Sequence, residues 1–498
     1  MRESEALQIA RAGVTRASGQ VKQARSSYYP QVNTSLAYAR TLKSQFSALA
    51  SGSTDTSTAP KPQSVCAPQI PANATVVERQ AALNQASTCA AVQGIDFSKV
   101  GFGAKNQYTL GLSVAQTVYS GGRVGALTAS SEALQRSAEI DLGSQRAQLA
   151  LDVTQAYFDA VLADRLVVIA DTSLAQTEEL LRQTTIARRV GNQSEFDLLR
   201  ATVSRDNQRP VLITRRGDRD VAYLRLKQLL NVPLDAPLQL STPIDEPAAI
   251  TSIIATSVTS GAGAGGVASD TTTDRRAPVR ESEESVRASE GQLKSARADL
   301  LPALSINSSY QRLFFPNSFL PSINQFSENW TVGGSISYSL FSGGRVGGQI
   351  EVAQANLDEA RARLQQSREL AALDTRVALN QLESAQSSFE ASRGTAQQAQ
   401  QAYSIDQLRF REGISTQTDL TQSRLLLEQA VANQAQSARD LAVARARLAL
   451  IRDLPINTAA LGGAAQRSAA AVAQQQQPSP RTQSAAAGAA QSTGGTAP

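Results

Sequence analysis

The sequence contains no histidine, one methionine, one tryptophan and two cysteines among its 498 residues. These residue types supply most acid–base, metal-ligand and thiol chemistry, so their scarcity argues against an enzyme. Gly261–Gly266 fits the pattern G-x-G-x-x-G, but it has neither the preceding strand nor the following helix that a dinucleotide site needs. The sequence therefore predicts no catalytic residue, no metal site and no cofactor.

Long apolar runs are also missing. No stretch reaches the roughly 18 apolar residues of a membrane-spanning helix, which excludes such a helix but not a membrane β-barrel. The net charge of +5 is small for this length, and arginines alternate with acidic residues as on solvated helix faces, so no nucleic-acid partner is expected. The chain starts directly on a helical pattern without a leader, from which we expect a removed signal peptide or a truncated start.

The two cysteines, Cys66 and Cys89, lie in one long polar loop, residues 43–106. A disulfide between them is the simplest interpretation and would indicate an oxidising compartment. Two free thiols in a cytosolic loop are the alternative.

The chain repeats itself. Tyr119–Gly125 (Tyr-Ser-Gly-Gly-Arg-Val-Gly) recurs as Phe341–Gly347, 222 positions later, and the same offset relates further motifs downstream. We interpret residues 1–232 as a first repeat, 233–277 as a linker and 278–455 as a second repeat. The tail, residues 456–498, is rich in Ala, Gln, Ser and Gly and is predicted to be disordered.

Each repeat begins with a helix whose apolar and small residues recur every seven positions, a pattern typical of a coiled-coil seam. In the first repeat these residues are Leu7, Ala10, Val14, Ala17, Val21 and Ala24. Pro30 and Pro302 are expected to end the two helices. Proline-free segments from about Arg123 to Arg189 and from about Arg345 to Arg411 predict two helices of about 100 Å each.

Four segments alternate apolar with small or polar residues and predict β-strands, near residues 32–38, 107–120, 304–310 and 330–338. One apolar and one polar face suit a barrel with lipid outside and water inside, although the strands of a soluble β-sandwich alternate too. In lipid, four strands alone would leave edges without hydrogen-bond partners, so closure requires other subunits. Three copies would supply twelve strands.

These motifs resemble the outer-membrane factor family that includes TolC. The resemblance extends from Ala6 to Pro455 and depends on Gln23-Ala-Arg-x4-Pro30, on the strands leading to [Tyr/Phe]-Ser-Gly-Gly-Arg, and on Gly-x-x-[Ser/Thr]-x-x-Asp in both repeats. It implies a membrane α+β fold: a homotrimer whose 12-stranded β-barrel, four strands per chain, contacts outer-membrane lipid in a Gram-negative bacterium and continues into a long periplasmic α-helical coiled-coil barrel. The 43–106 loop would be extracellular and the linker equatorial.

The resemblance also places an adaptor-docking surface and a periplasmic gate at the turns that end the long helices. The predicted docking residues are Gly191, Asn192, Ser194, Gly413, Ser415 and Thr416, and the predicted gate residues are Asp197, Asp419 and Gln422. The glycines let the chain reverse, and the hydroxyls can cap the next helices. Where family members can carry an arginine and a second aspartate, this chain has Ser415 and Gln422. Three Asp419 carboxylates in a trimer would form a cation-attracting ring. Both aspartates can instead be helix-start carboxylates favoured by the helix dipole.

The predicted function is the passive exit duct of a tripartite efflux system for small molecules, with a periplasmic adaptor and an inner-membrane pump as partners. One alternative is the outer-membrane duct of a type I protein secretion system, which would work with an ABC exporter. Another is a soluble coiled-coil scaffold, which leaves the two-faced strands unexplained.

Overall fold

The structure, a computed structural model, describes residues 4–43, 68, 70–93, 105–241, 272–316 and 327–457, with residues 88–93 described by their backbone alone. The described residues form two compact units, and each unit draws on both halves of the chain. The helical unit comprises the described residues within Met1–Val21, Ala129–Gln292 and Val352–Pro498. The sheet unit comprises the described residues within Lys22–Thr128 and Leu293–Glu351.

Apart from one additional helix, Val76–Gln93, the helices and strands follow the predicted order. The helices are α1 (Glu5–Ser26), α2 (Val76–Gln93), α3 (Arg123–Arg189), α4 (Glu195–Leu230), α5 (Ala277–Ala298), α6 (Arg345–Arg411) and α7 (Gln417–Leu450), and a 3-10 turn, Thr273–Arg275, precedes α5. The strands are β1 (Gln31–Arg40), β2 (Asn106–Ser120), β3 (Ala303–Phe314) and β4 (Ser327–Ser337). The long helices α3 and α6 have 67 residues each and the predicted ends. None of the described helices is apolar over enough of its length to cross a membrane.

Small residues line the helix contacts of the helical unit. Ala435 and Ala438 of α7 pack against Val161 and Leu162 of α3. Because alanine ends at Cβ, the two helix backbones can approach closely along this seam. The predicted heptad positions of α1 include four buried residues, Leu7, Ala10, Ala17 and Val21, which confirms the pattern.

The four strands form one antiparallel sheet in the order β1-β2-β3-β4. Its register places Val32 opposite Val114, Tyr38 opposite Tyr108, and Tyr310 opposite Trp330. Even-numbered residues therefore share one face over most of the sheet, up to an irregularity between Thr117 and Tyr119. We term this the even face. It is apolar and uncovered, since Leu36 is 78% and Trp330 73% exposed.

Paired glycines, Gly121 and Gly122, form the sharp turn from β2 into α3. Gly121 has a φ of +62°, and a Cβ at this position would lie 2.7 Å from the Ala298 carbonyl oxygen and 2.7 Å from Leu301 Cβ. Only glycine fits both the conformation and the space.

The prediction that residues 43–106 form a loop was wrong over α2. Thr75 and Glu78 start this helix, because the Glu78 carboxylate accepts hydrogen bonds from the Thr75 backbone N–H and hydroxyl, both at 2.9 Å. These bonds hold the pKa of Glu78 below its ordinary value. Cys89 lies in α2, but its side chain and all of Cys66 fall outside the described residues, as do Gly261–Gly266 and residues 458–498.

Smaller corrections concern helix ends. α1 and α5 stop at Ser26 and Ala298, four residues before Pro30 and Pro302, and hydrogen-bonded turns fill the interval. α5 also begins at Ala277, inside the predicted linker, where the Ala277 N–H donates to the Arg452 carbonyl at 2.8 Å.

Candidate functional site

The first predicted turn joins α3 to α4. Gly191 adopts a φ of +87°, and the Asn192 N–H donates back to the Ala187 carbonyl at 2.8 Å, which satisfies a carbonyl at the end of α3. Ser194 then caps α4. Its hydroxyl accepts from the Asp197 N–H at 3.2 Å, and the Asp197 carboxylate accepts from the Ser194 N–H at 3.3 Å. This reciprocal capping box fixes the direction in which α4 leaves the turn.

The second turn, between α6 and α7, repeats this construction with different residues. Gly413 has a φ of +71°. Thr416 caps α7, because its hydroxyl accepts from the Asp419 N–H at 3.2 Å while the Asp419 carboxylate accepts from the Thr416 N–H at 3.0 Å. The Ser415 hydroxyl donates to the Asp406 carbonyl of α6 at 3.5 Å. The predicted reversal at glycine and capping by a hydroxyl are confirmed at both turns.

The two turns meet within the helical unit. The Arg200 guanidinium on α4 donates to the Thr418 hydroxyl on α7 at 2.5 Å, and it lies 4.6 Å from the centre of the Phe196 ring. Arg188 and Glu195 form an ion pair across the first turn. Below the contact, Leu180, Tyr403, Leu420 and Leu427 form a buried cluster from α3, α6 and α7. The turns are thus parts of one surface.

The predicted gate residues lie at the starts of α4 and α7. Asp419 and Gln422 are exposed and one helical turn apart, whereas Asp197 is partly buried. Hydrogen bonds from the Thr416 hydroxyl and N–H, with the charge of Arg409, hold the pKa of Asp419 below its ordinary value. Asp419 therefore carries a full negative charge at neutral pH and also serves as the capping carboxylate.

Exposed apolar side chains surround both turns. Around the first turn they are Ile186, Val190, Phe196, Leu199 and Val203, and around the second Ile405, Leu408, Ile414, Leu425 and Leu426. Contiguous exposed apolar surface is typical of a protein interface.

A buried charged cluster, which sequence reasoning missed, links three helices of the helical unit. Arg424 on α7 lies 3.2 Å from the Glu428 carboxylate, which also accepts from Ser173 on α3 at 2.7 Å and from Gln208 on α4 at 3.2 Å. Burial lowers the pKa of Arg424, while the Glu428 charge raises it. The cluster borders a cavity of about 220 Å³. It ties α4 and α7 to α3 behind the turns.

A second missed network contains Arg276, which is fully buried. Its guanidinium lies 2.8 Å from the Asp374 carboxylate and donates to the Ala371 carbonyl at 3.1 Å. Asp374 also binds Arg447 at 2.8 Å. The prediction that the charged residues lie on solvated helix faces was therefore wrong at Arg276, Asp374 and Arg424. In the part of the chain that the structure describes, no group of His, Cys, Asp or Glu residues is arranged to hold a metal ion.

A protein-family model described as outer membrane efflux protein matches residues 72–232 and 269–452, more than half of the chain. The solvent efflux pump outer membrane protein SrpC and the toluene efflux pump outer membrane protein TtgI, both of Pseudomonas putida, are each 25% identical to it over 258 residues. That alignment covers 51% of this chain and 51% of each relative, so the chain spans about half the length of the curated relatives it matches.

Solved structures show the same fold. The outer membrane protein VceC of Vibrio cholerae is similar with a TM-score of 0.65 at 15% identity, over 91% of this chain and 93% of that one. The Campylobacter jejuni CmeC outer membrane channel is similar with a TM-score of 0.62 at 15% identity, over 91% of this chain and 84% of that one.

Proposed function

Because the chain belongs to the outer membrane efflux protein family, we propose that it is one subunit of a trimeric outer-membrane duct that acts as the passive exit of an efflux pump. Family membership confirms the resemblance and the outer-membrane location predicted from the sequence. The family is one of transport ducts and not of enzymes.

The observation that carries the proposal is the incomplete sheet. β1 and β4 are its edge strands, and the even face exposes large apolar side chains such as Leu36, Trp330 and Ile336. Contact of this face with lipid is energetically favourable, but unpaired backbone amides at the sheet edges are unfavourable there. Pairing β4 of one copy with β1 of the next satisfies both edges. Three copies close a barrel of twelve strands, a size within the range of membrane barrels.

The exposed apolar side chains around the two turns support the binding of protein partners to the helical unit. Its exposed apolar residues, Val190, Phe196 and Ile414 among them, are costly in water and suit a protein that covers them. The partners proposed are neighbouring copies and a periplasmic adaptor, with an inner-membrane pump behind it. The named relatives belong to solvent and toluene efflux pumps, so the proposed cargo is small and apolar.

The proposed gate is the Asp419 ring. Its carboxylate is exposed, ionised at neutral pH and fixed by Thr416. Three such carboxylates close to one axis attract cations and repel one another. Adaptor contact at Gly191 and Gly413 would then move α7 outward and separate the ring. Asp197 and Gln422 contribute to the same constriction.

The test is single-channel conductance of the purified full chain in planar bilayers, after its mass in detergent has been measured. We expect a trimer-sized particle that conducts with cation preference, and a loss of that preference in Asp419→Asn. Thr416→Ala is the matched control, because it removes the hydroxyl partner of Asp419 but keeps the carboxylate. A monomeric particle without conductance would overturn the duct. Unchanged selectivity in Asp419→Asn would remove the ring alone.

A further inference from the structure

Charged residues are confined to one end of the sheet. The four strands contain three charged side chains, Arg40, Arg312 and Glu328. β1 and β3 finish at this end, and β2 and β4 start there. It is the end that leads into residues 41–105, and we term it the loop end.

All three charges lie on the apolar even face. The pairings Tyr38 with Tyr108 and Arg312 with Leu110 put the two arginines on the face that also presents Leu36. The two outgoing strands carry the same short motif, Tyr38-Ala-Arg40 in β1 and Tyr310-Gln-Arg312 in β3. Each arginine is thus two residues beyond a tyrosine on the same face, toward the loop end.

Among the described residues of the strands, the charges at the loop end do not cancel. Arg312 pairs with Glu328 and donates to the Tyr310 hydroxyl at 2.7 Å. Arg40 is exposed, and no carboxylate among the described residues pairs with it. Lys105 lies opposite Thr41, since the Thr41 N–H donates to the Lys105 carbonyl at 2.9 Å, and this odd-numbered pair belongs to the other face. With Glu328 neutralised by Arg312, positive charge remains on Arg40 of the even face.

The opposite end of the sheet has a different character. Gln31, Ser120, Ala303 and Ser337 are the strand residues at that end, and none is charged. Exposed aromatic residues flank them, including Tyr29 and Phe341. The contrast between a charged and an uncharged strand end indicates two different headgroup environments.

We propose that the loop end binds the phosphate groups of an anionic lipid, with Arg40 as the principal contact. The inference depends on the proposed function, because the even face must meet lipid. A guanidinium donates in pairs to phosphate oxygens, whereas the hydrocarbon of the same lipid would lie on Leu36 and its neighbours. The tyrosines below the arginines suit the boundary between headgroup and hydrocarbon. Arg312 is already paired with Glu328 on the neighbouring strand and therefore contributes less to lipid binding.

The test is native mass spectrometry of the detergent-extracted full chain, titrated with diphosphorylated lipid A, with phosphatidylethanolamine and with inorganic phosphate. The variants are Arg40→Gln, Arg40→Lys and, as a matched control, Arg345→Gln, which removes an exposed arginine at the start of α6. We expect Arg40→Gln to weaken lipid A binding about fivefold, from the typical contribution of one basic residue at a lipid surface. Arg40→Lys should restore most of the affinity, and Arg345→Gln should not change it.

Equal binding of lipid A by the native chain and Arg40→Gln would overturn the proposal, as would equal affinity for lipid A and phosphatidylethanolamine. Binding of inorganic phosphate that disappears in Arg40→Gln, without any lipid preference, would assign the site to a free anion and also overturn it. Planar-bilayer conductance of the same preparations separates this inference from the duct. A conducting protein without lipid preference leaves the duct standing, and a non-conducting protein refutes the duct itself.

Discussion

The helical unit and the sheet unit place their apolar and charged side chains in opposite ways. In the helical unit, alanine seams are covered and buried charges such as Arg276 and Asp374 find partners within the unit. In the strands of the sheet unit, large apolar side chains such as Leu36 are exposed and charged residues lie at one end. The helical packing is therefore specified largely by the chain itself, whereas in the proposed duct the sheet would depend on lipid and on other copies for its stability.

The largest effect is expected where the helical unit buries charge. Asp374→Ala leaves Arg276 fully buried without its carboxylate and removes a partner of Arg447. Breaking a buried pair from one side costs about 3–5 kcal/mol. Denaturant-induced loss of helicity, followed by circular dichroism in detergent, should shift to a clearly lower midpoint.

The control for Asp374 is Asp358→Ala, which removes an exposed carboxylate 3.6 Å from Arg361 on the same helix. Exposed pairs contribute about 0–1 kcal/mol, so its midpoint should stay close to that of the native chain. Equal shifts in the two variants would contradict the view that the Arg276 network stabilises the helical unit.

The second prediction concerns the two faces of β4. Val332 lies on the apolar even face and Thr331 on the opposite face. Val332→Arg places a charge in hydrocarbon and should cost about 2–4 kcal/mol in transfer to lipid, whereas Thr331→Arg meets the aqueous side. The measurement is folding into lipid vesicles across a urea titration.

These two variants have the same added side chain one residue apart, so each is the control for the other. If Thr331→Arg impairs insertion as strongly as Val332→Arg, the assignment of the even face to lipid is wrong. If neither impairs it, the sheet does not enter the membrane.

Local signals in the sequence predicted most of the fold. They did not predict the ion pairs between residues that are far apart in the chain. The ends of α3 and α6 were predictable because a glycine and a capping hydroxyl follow each within five residues. The strands were predictable from their alternation. α2 was missed although Thr75 and Glu78 have the spacing of a capping box. Asp374 and Arg276 are 98 positions apart, and nothing local distinguishes them from charges on solvated faces.

A smaller effect is expected at the turn glycines. Gly191 has a φ of +87°, and no atom lies within 4 Å of a Cβ added there, so Gly191→Ala tests the backbone conformation alone. A left-handed non-glycine residue costs about 1–2 kcal/mol. Gly143→Ala is the matched control, since Gly143 lies inside α3 with equally open space and should gain about 0.5–1 kcal/mol. We expect the thermal midpoint to fall in Gly191→Ala and to rise in Gly143→Ala. A lower midpoint in both variants would contradict the assignment of the cost to φ.

The smallest effect is expected at Asp419. Its measurement separates the role of this carboxylate as a helix cap from its proposed role in the gate. Since hydrogen bonds from Thr416 lower its folded pKa, the carboxylate stabilises the start of α7 fully at pH values above its ordinary pKa of 3.8. This stabilisation is lost as the pH falls through the lowered folded value. Hydrogen exchange of the first turn of α7 should therefore be faster in Asp419→Asn than in the native chain at pH 7, and the ratio of the two rates should approach one in acid. Thr416→Ala should speed exchange in the same way, and the double variant should add little, because both substitutions break the same bonds. A rate ratio that persists unchanged at low pH would show that Asp419 stabilises the turn by something other than its charge, and a ring of ionised carboxylates would then lose its support at this position.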